Sequence, residues 1–340
     1  MWKPLIFIKR NLILSIMTSM LLGLLIGYYY NLSQLKFFVL PLTMLMIYPM
    51  MVNLKLGELT ELKNFKLIIT ALIINFAVIP FVAFTIGNVF FSNTGYLLAL
   101  IIMGSLPTSG MTISWTGFAK GSVKDAIKIT ILGLLIGSML IPVYIKLFLG
   151  TAVSISVFNI LKQVLLIIVI PLILGNLTRK VLIKSVGKNS YEYNWKKKLP
   201  LLSSLGLVII IFISMGLKSR SILTNPSQVL SIILPIILLY LSSFLISVIV
   251  GKLFFCRKDS VALVYGTALR NLSIAMGISV SLFSEYASSI ILVISIAYVI
   301  QVQASAWFLK LNDKILQNGA LITTTKCTNR LKDLNLSVSK

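Results

Sequence analysis

The chain has 340 residues, of which 58% are hydrophobic and only 11% charged, and its mean hydropathy is +0.99. A soluble domain carries roughly 25% charged residues, so this composition excludes a water-soluble globular protein. The formal net charge of +23 would suit a nucleic-acid binder only if it were gathered on one face, and it is not.

Apolar runs long enough to cross a bilayer recur along the whole length. They predict an all-α polytopic membrane protein with ten transmembrane helices, near 11–30, 36–54, 66–91, 95–118, 128–149, 157–177, 199–217, 228–251, 260–284 and 288–310. The first run follows Lys3, Lys9 and Arg10 as a signal peptide would. It is too long for one and lacks a small-residue cleavage pattern, so a retained helix is expected. The 31 Lys and Arg concentrate at the two ends and in every second connection. The opposite connections hold Lys36, Lys218 and Arg220, while Lys146, Lys162 and Arg270 fall inside spans. By the positive-inside rule both termini are expected in the cytoplasm of a prokaryotic cell membrane, and the charge is topological rather than a nucleic-acid surface.

Five spans precede residue 150 and five follow it. Because five is odd, the halves enter the membrane with opposite orientation, which predicts two inverted five-helix repeats, 1–150 and 151–311, and a short polar tail, 312–340. The pairs Gly23/Gly27 in span 1 and Gly133/Gly137 in span 5 have small-xxx-small spacing and predict close helix packing inside the bundle. The stretch Lys184–Lys198, with Tyr191, Tyr193 and Trp195, reads as a basic connection lying against anionic lipid headgroups. Cys256 and Cys327 suggest neither a disulfide nor a metal site. Without histidine, zinc hydrolysis and Ser-His-Asp chemistry are excluded within this chain. No phosphate-binding glycine loop appears, and neither enzyme chemistry nor a cofactor is expected.

Two spans are interrupted. Span 4 contains Gly104-Ser105-Leu106-Pro107-Thr108-Ser109-Gly110 near its centre. Pro107 cannot donate an N–H, and Gly104 and Gly110 loosen the helix on either side. Ser105 is placed to cap the following half-helix, with Pro107 in its first turn. Span 9, at the corresponding place in the second half, carries Arg270-Asn271-Leu272-Ser273. Interrupted helices at equivalent positions point to a midplane binding site. Broken helix ends offer N–H groups to anions and carbonyls to cations such as Na⁺. An arginine near the middle of a span costs roughly 2.5–3.5 kcal/mol on insertion scales, so it marks a site or a structural bond to the carbonyls of the broken helix. With Arg270 as the fixed charge, the candidate substrate groups are Thr108, Ser109, Thr112, Arg270, Asn271 and Ser273, with Ser114 close by. Asn271, Gln301 and Gln303 are the candidate ion ligands. Asn75 in span 3 reads as an interhelical bond.

These features resemble the bile acid:sodium symporter superfamily, which also contains the arsenical-resistance permeases. The resemblance covers roughly residues 10–310. It rests on Met46-Ile47-Tyr48-Pro49-Met50-Met51, on Ser114-Trp115-Thr116-Gly117-Phe118-Ala119-Lys120-Gly121 and on Arg270-Asn271-Leu272-Ser273-Ile274-Ala275. The tryptophan followed by Ala-Lys-Gly is closer to the arsenical-resistance branch. The resemblance implies a cysteine seven residues before that tryptophan, where this chain has Thr108, and a glutamate in span 9, where it has Ser273. Trivalent arsenic is thiophilic, so the soft ligand of an arsenite carrier is missing. What the resemblance implies is a secondary transporter of a small anion or oxyanion, arsenite-type efflux included. The alternatives are a Na⁺-coupled importer of an organic anion and, from another class, a channel. An ion gradient of Na⁺ or H⁺ is implied; the spans hold no acidic proton carrier near the midplane. The expected partners are the anion and membrane lipid, with no nucleic acid; the oligomeric state stays open.

Overall fold

The computed structural model describes residues 2–53, 64–108, 110–150, 158, 169–224, 227–283 and 285–317, and it is helical throughout these segments apart from short turns. The helices are α1 (Trp2–Arg10), α2 (Leu12–Tyr29) and α3 (Lys36–Asn53), then α4 (Phe65–Phe90). There follow α5 (Thr94–Ser105), α6 (Gly110–Phe118), α7 (Val123–Leu149), α8 (Ile170–Val186), α9 (Lys196–Thr224), α10 (Ser227–Phe254), α11 (Arg257–Ala268), α12 (Leu272–Leu282) and α13 (Ala287–Gln317). Among the described residues, five helices are long and apolar enough to cross a membrane: Phe65–Phe90, Val123–Phe148, Lys188–Leu217, Leu230–Phe254 and Ala287–Leu316. The chain is therefore an integral membrane protein. Most of the sixth expected span lies outside the described residues, which resume with α8.

Packing sorts the helices into two bundles that do not follow sequence order. In the first, α9 lies along both α2 and α3, α8 packs on α3, and α1 on α9. Tyr48 on α3 and Thr178 on α8 share a hydroxyl–hydroxyl bond of 2.6 Å. The α2–α9 contact is a backbone contact. A Cβ at Gly23 would stand 2.5 Å from the Phe212 carbonyl oxygen, and one at Gly27 would stand 2.3 Å from that of Gly216. Small residues are what allow helices in lipid to approach this closely. The second bundle contains α4–α7 and α10–α13, with α10 against α11 and α5 against α13. Its other glycine pair serves the broken span: a Cβ at Gly137 would lie 2.9 Å from the Ser105 carbonyl oxygen, and one at Gly133 would lie 3.2 Å from Thr108 Oγ1.

Helix α4 contains a π-helical stretch, Ile74–Val78. The cause is Pro80, which has no N–H to offer the carbonyl four residues back. That carbonyl, of Phe76, instead accepts from Tyr144 Oη at 2.5 Å. The widened turn carries Asn75 into the interior, where it is fully buried.

Four expectations need correction. Ser105 ends α5 and donates to the Ile101 carbonyl at 2.7 Å; it caps nothing, because the next half-helix begins only at Gly110. Pro107 therefore sits within the break and not in a first turn. The stretch 184–198 is largely helical, and Tyr191 points inward, donating toward the Val52 carbonyl and Asn53 Oδ1, each at 3.2 Å; Tyr193 stays exposed. Helix α13 continues to Gln317, past the expected start of the tail at 312. Cys256 is disulfide-bonded, whereas Cys327 and the tail beyond Gln317 lie outside the described residues.

The backbone contact makes Gly27 intolerant of any side chain. Gly27→Ala is expected to lower the thermal unfolding midpoint of the purified protein, at a cost of about 1–3 kcal/mol for overpacking. Gly117→Ala, whose new methyl would meet only Val123 Cγ2 at 3.7 Å, is the control and should leave the midpoint unchanged or slightly raised.

Candidate functional site

Helices α5 and α6 are halves of one interrupted hydrophobic stretch, and α11 and α12 are halves of another. The two interruptions cross. Thr108 N donates to the Leu269 carbonyl at 2.8 Å and Asn271 N to the Leu106 carbonyl at 2.9 Å, an antiparallel bridge centred on Pro107 and Arg270. In lipid each peptide group must find a protein partner, and two breaks lying across each other supply it mutually. Thr108 takes a left-handed conformation, φ 62°, which costs a non-glycine residue about 1 kcal/mol or more. Its N–H bond and a 3.3 Å bond from Oγ1 to the Thr130 carbonyl hold it there.

The helix ends at this crossing are almost fully accounted for. At the end of α11 the Tyr265 carbonyl accepts from Thr112 Oγ1 at 3.3 Å, and the Gly266 carbonyl from Asn75 Nδ2 at 2.9 Å. The Thr267 carbonyl accepts from Arg270 Nη2. At the end of α5 the Gly104 carbonyl accepts from Arg270 Nη1 at 3.2 Å. Arg270 Nη1 also reaches Asn75 Oδ1 at 3.4 Å. On the opposite side, Asn271 caps α12, its Oδ1 accepting from Ile274 N at 3.2 Å.

Arg270 is fully buried, and no carboxylate pairs with it among the described residues. Its charge is balanced by dipoles. The C-terminal ends of α5 and α11 both carry partial negative charge, which favours a cation. Hydrogen bonds to a charged group contribute about 1.5–3 kcal/mol each, so two or three of them offset the ~3 kcal/mol cost of placing arginine in a span. One donor is left over: Arg270 Nε has no hydrogen-bond partner.

The residues expected at the site are not all brought together. Thr108, Thr112, Arg270, Asn271 and Ser273 are buried around the crossing. Ser273 shares a hydroxyl–hydroxyl bond with Tyr298. Gln301 braces the break from α13: its Oε1 accepts from Arg270 N and from Tyr240 Oη, each at 2.8 Å, and its Nε2 donates to the Arg270 carbonyl at 3.3 Å. Gln303, two positions on, falls on the other side of α13 and is exposed, as is Ser114 on α6. Ser109 lies outside the described residues. Trp115 stacks on Tyr265, centroids 6.3 Å apart. Asn75, Tyr240 and Tyr298 were not among the expected site groups. Asn75 alone had a signal, an amide within a long apolar run.

Chemically the crossing offers hydroxyls, amides, carbonyl oxygens and one guanidinium. Among the described residues no group of three or more His, Cys, Asp or Glu is placed to hold a metal ion. Such a set can bind and orient a polar solute.

The model of the family described as "Sodium Bile acid symporter family" matches residues 40–225, more than half of the chain. The arsenical-resistance protein Acr3 of Alkaliphilus metalliredigens is 28% identical over 217 residues, which cover 60% of this chain and 61% of that protein. The chain thus spans about three fifths of that relative's length. Acr3 of Corynebacterium glutamicum is 24% identical over 305 residues, 82% of this chain and 81% of its own. YbaS of Bacillus subtilis is 23% identical over 221 residues, 63% of this chain and 69% of its own.

Gln301 and Gln303 make a paired test of the site's packing. Gln301→Leu leaves the Arg270 backbone N–H, its carbonyl and the Tyr240 hydroxyl without partners, and each stranded buried group costs about 1–3 kcal/mol. A clear drop in the thermal unfolding midpoint is expected. Gln303→Leu, on the exposed face, should stay within about 0.5 kcal/mol of the parent.

Proposed function

The chain belongs to the sodium bile acid symporter family, a family of transporters, and from that premise we propose that it is a secondary transporter of a small anion or oxyanion. On this reading the ten spans form two inverted five-helix repeats, 1–150 and 151–311, with both termini in the cytoplasm of a prokaryotic cell membrane. The crossing of α5/α6 with α11/α12 lies at the midplane. Access alternates as the bundle holding the crossing rocks against the bundle of α1–α3, α8 and α9, in the manner of transporters built on inverted repeats. The substrate sits against Thr108, Thr112, Asn271, Ser273 and Arg270, with Ser109 beside them, while Gln301 orients the break. Lipid covers the apolar outer faces. No enzymatic step is part of this reading.

The observation that carries it is Arg270: a buried cation, unpaired with any carboxylate among the described residues, whose Nε has no protein partner. A site with a fixed positive charge favours an anion and disfavours a cation. The relatives named for arsenical resistance make arsenite or a related oxyanion one candidate cargo, with hydroxyls in place of a thiol. A second reading, Na⁺-coupled import of an organic anion, is favoured by the carbonyl and amide oxygens of the crossing, Asn271 and Gln301 among them.

In proteoliposomes the protein is expected to give saturable flux of at least one of arsenite, phosphate, acetate and taurocholate. Loss of one charge-assisted bond is worth about 1.5–3 kcal/mol, or tenfold and more. Arg270→Gln should therefore lower anion flux at least about tenfold while the protein remains folded in the membrane. Undiminished flux in that variant would remove Arg270 from the substrate's path. Arsenite flux marks an exporter of that type, and taurocholate or acetate flux that needs Na⁺ marks the second reading.

A further inference from the structure

Three oxygens from three separate segments converge on one point in the interior. They are the Gly104 carbonyl at the end of α5, the Thr267 carbonyl at the end of α11 and Asn75 Oδ1 from the π-helical turn of α4. All three residues are buried. Two last-turn carbonyls and an amide oxygen, with the negative ends of two helices aimed at them, are the ligand chemistry of a hard monovalent cation. Broken membrane helices use such carbonyl ends to coordinate Na⁺. In this chain the point is filled from within, because Arg270 Nη1 and Nη2 donate to all three oxygens.

We propose that Arg270 is a tethered cation. Its guanidinium does at the crossing what a Na⁺ taken from solution would otherwise do, joining the end of α5, the end of α11 and the turn of α4 around one positive charge. The crossing is then complete without dissolved cation, and the oxygens at this point are closed to Na⁺. The consequence for transport rests on the transporter reading above. The anion's movement is not coupled to Na⁺ at this point, which weighs against the Na⁺-coupled alternative. The unpartnered Nε lets the same group face the cargo while its two terminal nitrogens stay committed to the protein.

The geometry makes a reciprocal claim. If the side chain replaces an ion, removing the charge should restore a need for one. Arg270→Gln removes the guanidinium and adds an amide oxygen to the three already there; Arg270→Ala leaves the three oxygens around open space. Thermal unfolding of the purified full chain in detergent is measured in NaCl and in choline chloride at equal ionic strength. The parent protein should unfold at the same temperature in both. The Arg270→Gln protein should show a saturable rise in NaCl of about 3 °C or more, as mass action requires for an ion that binds only the folded state. Millimolar guanidinium, with urea as control, should raise the midpoint of Arg270→Ala and not that of the parent. A response of either variant, with an indifferent parent, supports the proposal. A Na⁺-specific rise in the parent, or no response of either variant to Na⁺ or guanidinium, overturns it. The readout is folding and not flux, so a protein that moves no anion would sink the transporter reading and leave this result standing.

Discussion

Hydrogen-bond closure at the crossing is the constraint on which the rest of the structure depends. A broken helix in lipid exposes carbonyls on one side of the break and N–H groups on the other, and hydrocarbon satisfies neither. Here the breaks of two helices lie across one another and exchange backbone bonds, Thr108 to Leu269 and Asn271 to Leu106. What that exchange leaves over is taken up by Asn75, Thr112, Gln301 and Arg270. The surrounding helices are arranged to bring those side chains in. The π turn of α4 aims Asn75, the smooth face of α7 at Gly133 and Gly137 lets the α5/α6 break lie close, and α13 carries Gln301 to the Arg270 backbone.

Electrostatics and closure are then one problem. The two helix ends supply negative potential without any acidic side chain, and the arginine supplies the balancing charge together with its donors. An ion pair would have neutralised the arginine more locally and left no net positive charge at the crossing. Dipoles leave that charge in place while lowering its cost. The buried arginine is thereby bonded to the carbonyls of both broken helices, the structural one of the two readings open at the level of sequence.

Much of this was legible in the residues, for identifiable reasons. The proline and glycine cluster of span 4 and the polar stretch at Arg270 in span 9 mark the breaks, and the helices do stop at Ser105 and Ala268 and resume at Gly110 and Leu272. The glycine pairs were legible because small residues four apart share a helix face. Ser105 misled because a serine before a half-helix looks like a cap, yet inside a span its hydroxyl can bond the preceding turn. Gln301 and Gln303 look alike in sequence but are two residues apart on a helix, so they cannot share a face. The interhelical bond of Asn75 was legible from an amide in an apolar run, but its partners were not, because they depend on a π turn that itself depends on Pro80 and Tyr144. The inward turn of Tyr191 depends on a backbone partner on α3, which no local pattern announces.

The glycine-to-glycine contact of α2 with α9 bears on how the chain is made. Gly23 and Gly27 leave the ribosome nearly two hundred residues ahead of Phe212 and Gly216. Between them come all the segments of the first broken span and its neighbours. Helix α2 must therefore rest in lipid or beside the insertion machinery with its flat glycine face uncovered until α9 is released. The first bundle cannot close before α9 is made, and α10–α13 follow it, so the order of synthesis as well as finished stability sets how long that face must wait.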